Sequence, residues 1–498
     1  MNVILKFFRS PNSRFSKFQI GLLGIWILAL GLRFWGLSRF NTLVFDEVYY
    51  AKYAVHYLDG TDFFDAHPPL GKYCIALGIW LSQLFPLDAS ATTDVAGRAL
   101  YPFSYRWFDA FIGSFVPLLI AGIAERLSRR RRYALIAGFL ATLEGLWLVE
   151  SRYALINIYM VFFGLLGQWL FLVALDRSKL RKEVCLALAG ISLGGSIAVK
   201  WNGLGFLGGI YILWGLAWIC RWIVPKFREL ARWEGTINFL PFIKLTKISA
   251  LKFSIYFAIV PTLIYSLLWI PHLHANSNST FWGVHQQILS YHQGLGTGKD
   301  VHPYCSPWYS WPLLLRPIGY FYEKSGGEKA AILPINSNPE QSIVYDVHLL
   351  GNPILFWLSS AAIVLAVLLI LEWIFRGIVL TNERSKSISK CRQFLRQSSE
   401  IWILLYLVVN YAVNWLPWAK VGRCTFLYLY MGAMVFAVLA IAWFVDRWLQ
   451  SSRYLYRTIG GLTLAAIAIS FWFWLPIYLG LPLSPDNFQL RMWFKSWI

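Results

Sequence analysis

Val44-Phe45-Asp46-Glu47-Val48-Tyr49-Tyr50, running on to Asp65-Ala66-His67-Pro68-Pro69-Leu70-Gly71-Lys72, follows directly on the first long apolar run, Phe18 to Leu37. Two adjacent carboxylates therefore stand at the mouth of a membrane-spanning helix. A second polar cluster, closed by a Pro-Pro corner, comes about one amphipathic helix later. An Asp-Glu pair of this kind reads as two solvated loop charges unless something holds it. Held against a hydrocarbon wall, it is where a base, a metal site or a cation path is built.

The surrounding chain is apolar. Of its 498 residues, 57% are hydrophobic and 14% charged, and the mean hydropathy is +0.52. A soluble domain carries about 25% charged residues. Runs near 20 apolar residues recur, so the expected fold is an all-α polytopic membrane protein. About eleven spans are expected: Phe18–Leu37, Tyr105–Ala124, Tyr133–Val149, Ala154–Leu175, Val184–Val199, Leu204–Ile219, Phe253–Ile270, Pro353–Glu372, Ile401–Pro417, Phe426–Val445 and Thr458–Leu479. Tyr73–Phe85 is too short to span and is expected as an interfacial or re-entrant helix. Met1 to Lys17 is basic, but the run after it is full length without a small-residue cleavage site. The first helix is therefore expected to stay as an anchor. No repeat or linker divides the chain. Residues 1–498 read as one membrane domain, with a first outer loop at 38–104 and a large outer loop at 271–352.

The net charge of +20 raises nucleic acid as a partner, and its distribution argues against one. The connections Met1–Lys17, Glu125–Arg132, Asp176–Lys182, Arg221–Lys252, Trp373–Glu400 and Asp446–Arg457 hold 29 of the 45 basic residues. Positive-inside bias places them in the cytoplasm, the N-terminus inside and the C-terminus outside, in the cell (inner) membrane. The charge is then mostly topology and contact with anionic membrane lipids. The six Cys are scattered without CxxC, so neither a zinc site nor a disulfide framework is expected. His272, His274, His285, His292 and His302 lack metal-ligand spacing. No metal site and no cofactor are expected, an assisting divalent cation being the open alternative.

The same topology gathers Asp46, Glu47, His67, Arg106, Lys200-Trp201-Asn202, Lys420 and Arg423 on the outer face. Arginines on that side run against the charge bias. Each has either an anionic lipid phosphate as partner or the plainer role of snorkelling to headgroups. Glu144 reads as a buried satisfied acid or as a cavity residue. Asp46–Leu58 is expected as a helix begun by acids. Gly294–Pro317 is expected to be irregular, with a helix near Leu313–Tyr322.

These motifs resemble the protein O-mannosyltransferases, which use dolichyl- or polyprenyl-phosphate-mannose. The matching pieces are Leu32-Arg33-Phe34, Phe45-Asp46-Glu47 with Tyr49-Tyr50-Ala51, Phe63 to Lys72, Tyr105-Arg106, Gly113-Ser114, Val116-Pro117-Leu118, Ser151-Arg152, Lys200-Trp201-Asn202-Gly203, and Ser290-Tyr291-His292. His302 to Pro312, Arg316-Pro317 and Leu416-Pro417-Trp418 with Arg423 complete them. The Asp-Glu pair alone is shared with many polyprenyl-phosphate-sugar transferases; the HPPLGK segment and the Trp-Pro loop are more specific. The large extracytoplasmic sugar-binding module of fungal and animal members is absent, as in the shorter bacterial branch. Where the family has an acid soon after Ser-Arg, this chain has Asn157.

The resemblance implies a GT-C-type fold. It also implies inverting transfer of mannose from polyprenyl-phosphate-mannose to Ser/Thr hydroxyls of secreted or membrane acceptor proteins, on the extracytoplasmic face. Such transfer needs a base for the hydroxyl proton and preorganised positive charge on the phosphate. The resemblance gives the base to Asp46; Glu47, the other residue of the catalytic pair, is expected to brace it. Arg106 and Arg423 are expected to bind donor phosphate. His67, Lys72, Trp308, Tyr309 and Trp311 are expected to bind substrate. The alternatives are the same donor chemistry on a lipid or glycan acceptor, and a transporter; no repeated halves or mid-membrane charges favour the latter.

Overall fold

The computed structural model describes residues 16–84, 91–223, 241–296, 301–325, 342–382 and 388–498. Most of Met1–Lys17, residues 224–240 of Arg221–Lys252 and residues 383–387 of Trp373–Glu400 lie outside them. Among the described residues, ten helices are long and apolar enough to cross a membrane.

In chain order the elements are α1 (Lys17–Phe34), α2 (Glu47–Asp59), α3 (Leu70–Ser82), β1 (Thr93–Val95), β2 (Arg98–Leu100), α4 (Pro102–Ser114), α5 (Val116–Ser128), α6 (Arg131–Thr142), α7 (Gly145–Glu150), α8 (Asn157–Ala174) and α9 (Lys179–Val199). They continue with α10 (Leu204–Ile223), α11 (Ala250–Ala275), α12 (Phe281–Gly294), β3 (Ile318–Ser325), β4 (Ile343–Leu349), α13 (Pro353–Asn382), α14 (Ile388–Trp415), α15 (Met431–Leu449) and α16 (Tyr454–Leu479).

Every expected span has helix along it, two of them interrupted: Tyr105–Ala124 is made by α4 and α5, which meet at Phe115 and run on as one candidate crossing. Tyr133–Val149 is broken into α6 and α7. Thr142 turns its hydroxyl back to the Gly138 carbonyl, and the Glu144 carboxylate accepts from the Trp147 amide at 3.2 Å. Such local bonds compete with the helical ladder and restart it as a new N-terminus. Glu144 is thus a buried capping acid. Two small antiparallel ribbons, β1–β2 and β3–β4, supplement the helices.

The centre is α15, whose residues from Met431 to Asp446 are all buried. Helices α8 and α9 meet through small residues, and a side chain at Gly190 would collide with the Tyr256 carbonyl of α11. Small residues let backbones approach where lipid supplies no hydrophobic drive between helices.

Two expectations need correction here. The segment Leu313–Tyr322 is a 3₁₀ turn at Trp308–Leu313 followed by β3, whose first side chains alternate inward with period two. The basic run is also not simply lipid-facing. Arg130 and Arg132 pair with Asp446 at 3.2 and 2.9 Å, and Arg129 pairs with Asp176.

Candidate active site

Helix α2 starts at Glu47, with Asp46 in the capping place. Phe45 before it has φ 53°, a left-handed conformation that disfavours a side chain. Its ring lies flat on Tyr320 at 4.2 Å, which holds the turn. The turn sends the two carboxylates apart.

Glu47 goes inward and is fully buried. Its oxygens accept from the amides of Val44 and Ala154, each at 2.8 Å. Arg106 completes the pair, donating from Nε at 2.8 Å and Nη2 at 2.7 Å. The remaining Arg106 donors reach the carbonyls of Leu37, Phe40 and Thr42 at 3.2, 2.9 and 2.7 Å. A guanidinium has five N–H groups, and all are engaged. This overturns the expectation that Arg106 holds a phosphate: it has no donor left to offer one. Glu47 likewise is a brace that pins α2 to α4 and to the Ala154 backbone.

Asp46 is half-buried and, among the described residues, makes no side-chain hydrogen bond. Burial pushes its carboxyl up to about 6, with Lys200 pulling it down and Asp65 pushing further up. Lys200 sits in the gap between α9 and the Trp201–Gly203 turn that opens α10. Its ammonium donates to Asn157 Oδ1 at 3.0 Å and lies 4.5 Å over the Tyr428 ring. Asn157 in turn donates to Glu150 Oε1 at 2.8 Å, and the Tyr320 hydroxyl donates to the same oxygen at 2.9 Å. Burial brings Lys200 down to about 8 against the raising influence of Glu150 and Asp46. Its one hydrogen bond, to the Asn157 amide oxygen, anchors it from behind and leaves donors free for a ligand.

Arg423 joins this group from the far end of the chain. It is half-buried and donates one bond, to the Cys424 carbonyl at 3.1 Å. Cys424 is disulfide-bonded to Cys305, where no disulfide framework was expected. Ser306 and Thr425 exchange two further bonds, at 2.8 and 2.7 Å. The large loop is therefore stitched to the segment that presents Arg423.

His67 stands beside Tyr50 and His292, with ring centroids 6.4 and 5.6 Å away. Burial, then Lys200 and Lys72, hold its imidazole well below the usual histidine range, so it is neutral near pH 7. Lys72 is buried, ion-paired with Asp65, and donates to the His67 carbonyl at 2.8 Å. Expected to bind substrate, it is here engaged with the loop, through Asp65 and the His67 carbonyl. Trp311 is also buried: its indole donates to Ser306 Oγ at 2.9 Å and packs against Trp418. It supports the loop from inside. Trp308 leans on Trp415 at 4.9 Å, and Tyr309 is 62% exposed, so of the three only Tyr309 presents a largely open face.

Residues 24–275 match the family model described as dolichyl-phosphate-mannose-protein mannosyltransferase. Residues 278–497 match that of the C-terminal four-transmembrane region of protein O-mannosyltransferase. The chain belongs to the protein O-mannosyltransferase family.

Similar curated members are the polyprenol-phosphate-mannose–protein mannosyltransferases of Mycobacterium tuberculosis and Corynebacterium glutamicum. They are 25% and 24% identical, each over 95% of this chain and 90% and 92% of their own length. The fold is similar to the Saccharomyces cerevisiae protein O-mannosyltransferase Pmt1–Pmt2 complex bound to the sugar donor, at TM-score 0.74 and 16% identity, covering 98% of this chain and 93% of that one. The oligosaccharyltransferase AglB of Archaeoglobus fulgidus has TM-score 0.53 and 13% identity, over 94% and 56%. The protein is a multi-pass membrane glycosyltransferase of the GT-C type, and the transporter reading is set aside.

Within this O-mannosyltransferase, sequence reading missed Glu150, Tyr320, Tyr428 and Asp65. Glu150 had a signal. It closes an apolar run and precedes Ser151-Arg152, and the acid the family carries soon afterwards is Asn157 here. The structure bonds Asn157 to Glu150 at 2.8 Å, so a carboxylate still stands behind Lys200, one residue removed. Among the described residues, no three His, Cys, Asp or Glu side chains gather as a metal site would require.

Proposed function

We propose that this chain carries out inverting transfer of mannose from polyprenyl-phosphate-mannose to Ser/Thr hydroxyls of translocated proteins, on the outer face of the cell membrane. One observation carries the reading: among the described residues Asp46 is a carboxylate without a hydrogen-bond partner, in electrostatic range of Lys200, and Lys200 is in turn in range of Arg423, both cations having donors to spare. The acceptor hydroxyl oxygen attacks the anomeric carbon as its bond to the phosphate oxygen breaks. Asp46 takes the hydroxyl proton, and the departing polyprenyl phosphate gains one negative charge. Lys200 and Arg423 answer that charge with preorganised donors. Asp46's nearby carboxylates, Glu47 and Asp65, are ion-paired. Glu150, also in range of Asp46, accepts from Asn157 and Tyr320, so Asp46 is the one of these carboxylates without a hydrogen-bond partner, which supports a single displacement with inversion. Tyr309 offers a face to the acceptor peptide.

The test is transfer of labelled mannose from polyprenyl phosphate to a Ser/Thr peptide by purified protein, with and without chelator. No transfer to peptide, with transfer to a lipid or glycan, would move the acceptor class. Arg423→Ala is expected to slow turnover on the order of a hundredfold, with Arg423→Lys a poor substitute for a planar fork. Near-normal single-turnover rates in Arg423→Ala would remove it from the site.

The basic connections support a cytoplasmic N-terminus and an outer C-terminus. A reporter after Leu481 should read outside and one after Arg132 inside. A cytoplasmic C-terminus would separate Arg423 from the proposed face.

A further inference from the structure

The end of α1 next to Glu47 carries more positive charge than the mechanism uses. Arg152 lies in electrostatic range of Arg39 and Arg106, and Arg33 in range of Arg152. Two carboxylates accompany these four guanidiniums. Glu47 is committed to Arg106, and Glu144, in range of Arg33, caps α7. Arg152 donates from its two Nη atoms to the carbonyls of Leu32, Arg33, Trp35 and Gly36, and Arg33 donates from Nη1 to the carbonyl of Ala29.

Arg39 differs. Among the described residues its guanidinium has no hydrogen-bond partner, and its Nε is buried. Gly36, at φ 60°, lets it fold back: a Cβ there would stand 2.7 Å from Arg39 Nη2. The side chain lines a cavity of about 260 Å³ with Phe34, Leu37, Ser38, Tyr101 and Phe103. A partly desolvated cation with a second guanidinium, Arg152, in electrostatic range is costly unless an anion meets it.

The position says which anion. The cavity adjoins α1, whose side chains Ile20, Leu23, Ile27 and Leu28 are exposed, with Trp35 57% exposed at its end. That is the pattern of a lipid-facing helix finishing in an interfacial aromatic. A headgroup arriving along this flank meets a lining in which Phe34 and Phe103, with ring centroids 6.2 Å apart, stand together with Arg39.

We propose that this cavity binds the phosphate headgroup of an anionic membrane lipid through Arg39, at a site separate from Asp46, Lys200 and Arg423. Arg106 holds the carbonyls of Leu37, Phe40 and Thr42 as well as Glu47, so a lipid seated here also steadies the loop that leads to Asp46.

The experiment compares wild type, Arg39→Gln and Ser38→Phe in neutral detergent. Phosphatidylglycerol, phosphatidylcholine and inorganic phosphate are added separately, and melting and retained adducts are followed by thermal shift and native mass spectrometry. Phosphatidylglycerol should raise the wild-type Tm and remain as an adduct. Both variants should bind it at least tenfold more weakly. Should Arg39→Gln fail to fold, Ser38→Phe, which blocks the cavity and leaves every charge, carries the test. Equal responses in wild type and Ser38→Phe, or an equal response to phosphatidylcholine, would overturn the site. An equal response to inorganic phosphate would overturn its assignment to a lipid.

Discussion

Asp46→Asn should nearly abolish mannose transfer while leaving donor binding and folding intact. The substitution keeps the volume and removes the base. The acceptor hydroxyl is far more basic than any carboxylate, so its proton moves late, as the anomeric carbon becomes cationic. Geometry then governs the step. Asp46→Glu displaces the oxygens by a methylene, and a shift near 1 Å costs about 10²-fold.

Burial raises the Asp46 carboxyl, so its ionised form is the disfavoured one in the folded chain. The sign follows. The folded pKa, about 6, lies above the ordinary value of 3.8. Stability is therefore lost, not gained, as the pH rises from the lower value through the upper. Asn at this position is free of that penalty, and Asp46→Asn should melt no lower than wild type near pH 7. Activity should run the other way. The base must be ionised, so transfer rises with pH through about 6. It falls as Lys200 discharges near 8, giving a bell between the two. The decisive measurement is single-turnover transfer at saturating donor, beside a thermal melt. Retained turnover in Asp46→Asn would place the base elsewhere, with His67 next in line.

Arg106→Ala should cost the protein its fold rather than its donor affinity. Removing this side chain strands a fully buried Glu47 charge, and breaking one partner of a buried pair costs about 3–5 kcal/mol. Three backbone carbonyls lose their donor at the same time. Arg106→Lys cannot restore the two-pronged contact or reach three carbonyls. Glu47→Gln keeps the shape but leaves the guanidinium uncompensated, and should also destabilise. Yield and melting temperature in detergent decide this against Arg423→Ala, which is expected to fold normally. A stable Arg106→Ala protein with a selective loss of donor binding would return Arg106 to the phosphate.

The spans were legible because hydrocarbon imposes a length and a composition on each helix, and a run such as Leu427–Val445 has little else it can be. The grouping of Asp46, Lys200 and Arg423 was legible too, since parity of crossing follows from the charge of the connections. Glu47 against Asp46 was the harder question. Neighbouring residues share every local signal. The left-handed turn at Phe45 and the arrival of Arg106 from α4 are what separate them. The break at Glu144 went unseen because its apolar neighbours carry the same hydropathy on both sides. The cysteines looked scattered because Cys305 and Cys424 stand 119 residues apart.

The amino-acid sequence by itself determined the membrane class, the order of the spans and the set of polar residues that a shared face could hold. Those properties depend on the residue's own transfer free energy and its place between crossings. Tertiary structure alone decided what each polar residue does. It gave Arg106 and Lys72 to internal carboxylates, Trp311 to the interior of the large loop, and Glu150 with Asn157 to the back of Lys200. A charge buried near hydrocarbon takes its role from the partner that satisfies it, and most of these partners come from another helix or loop, brought there by packing.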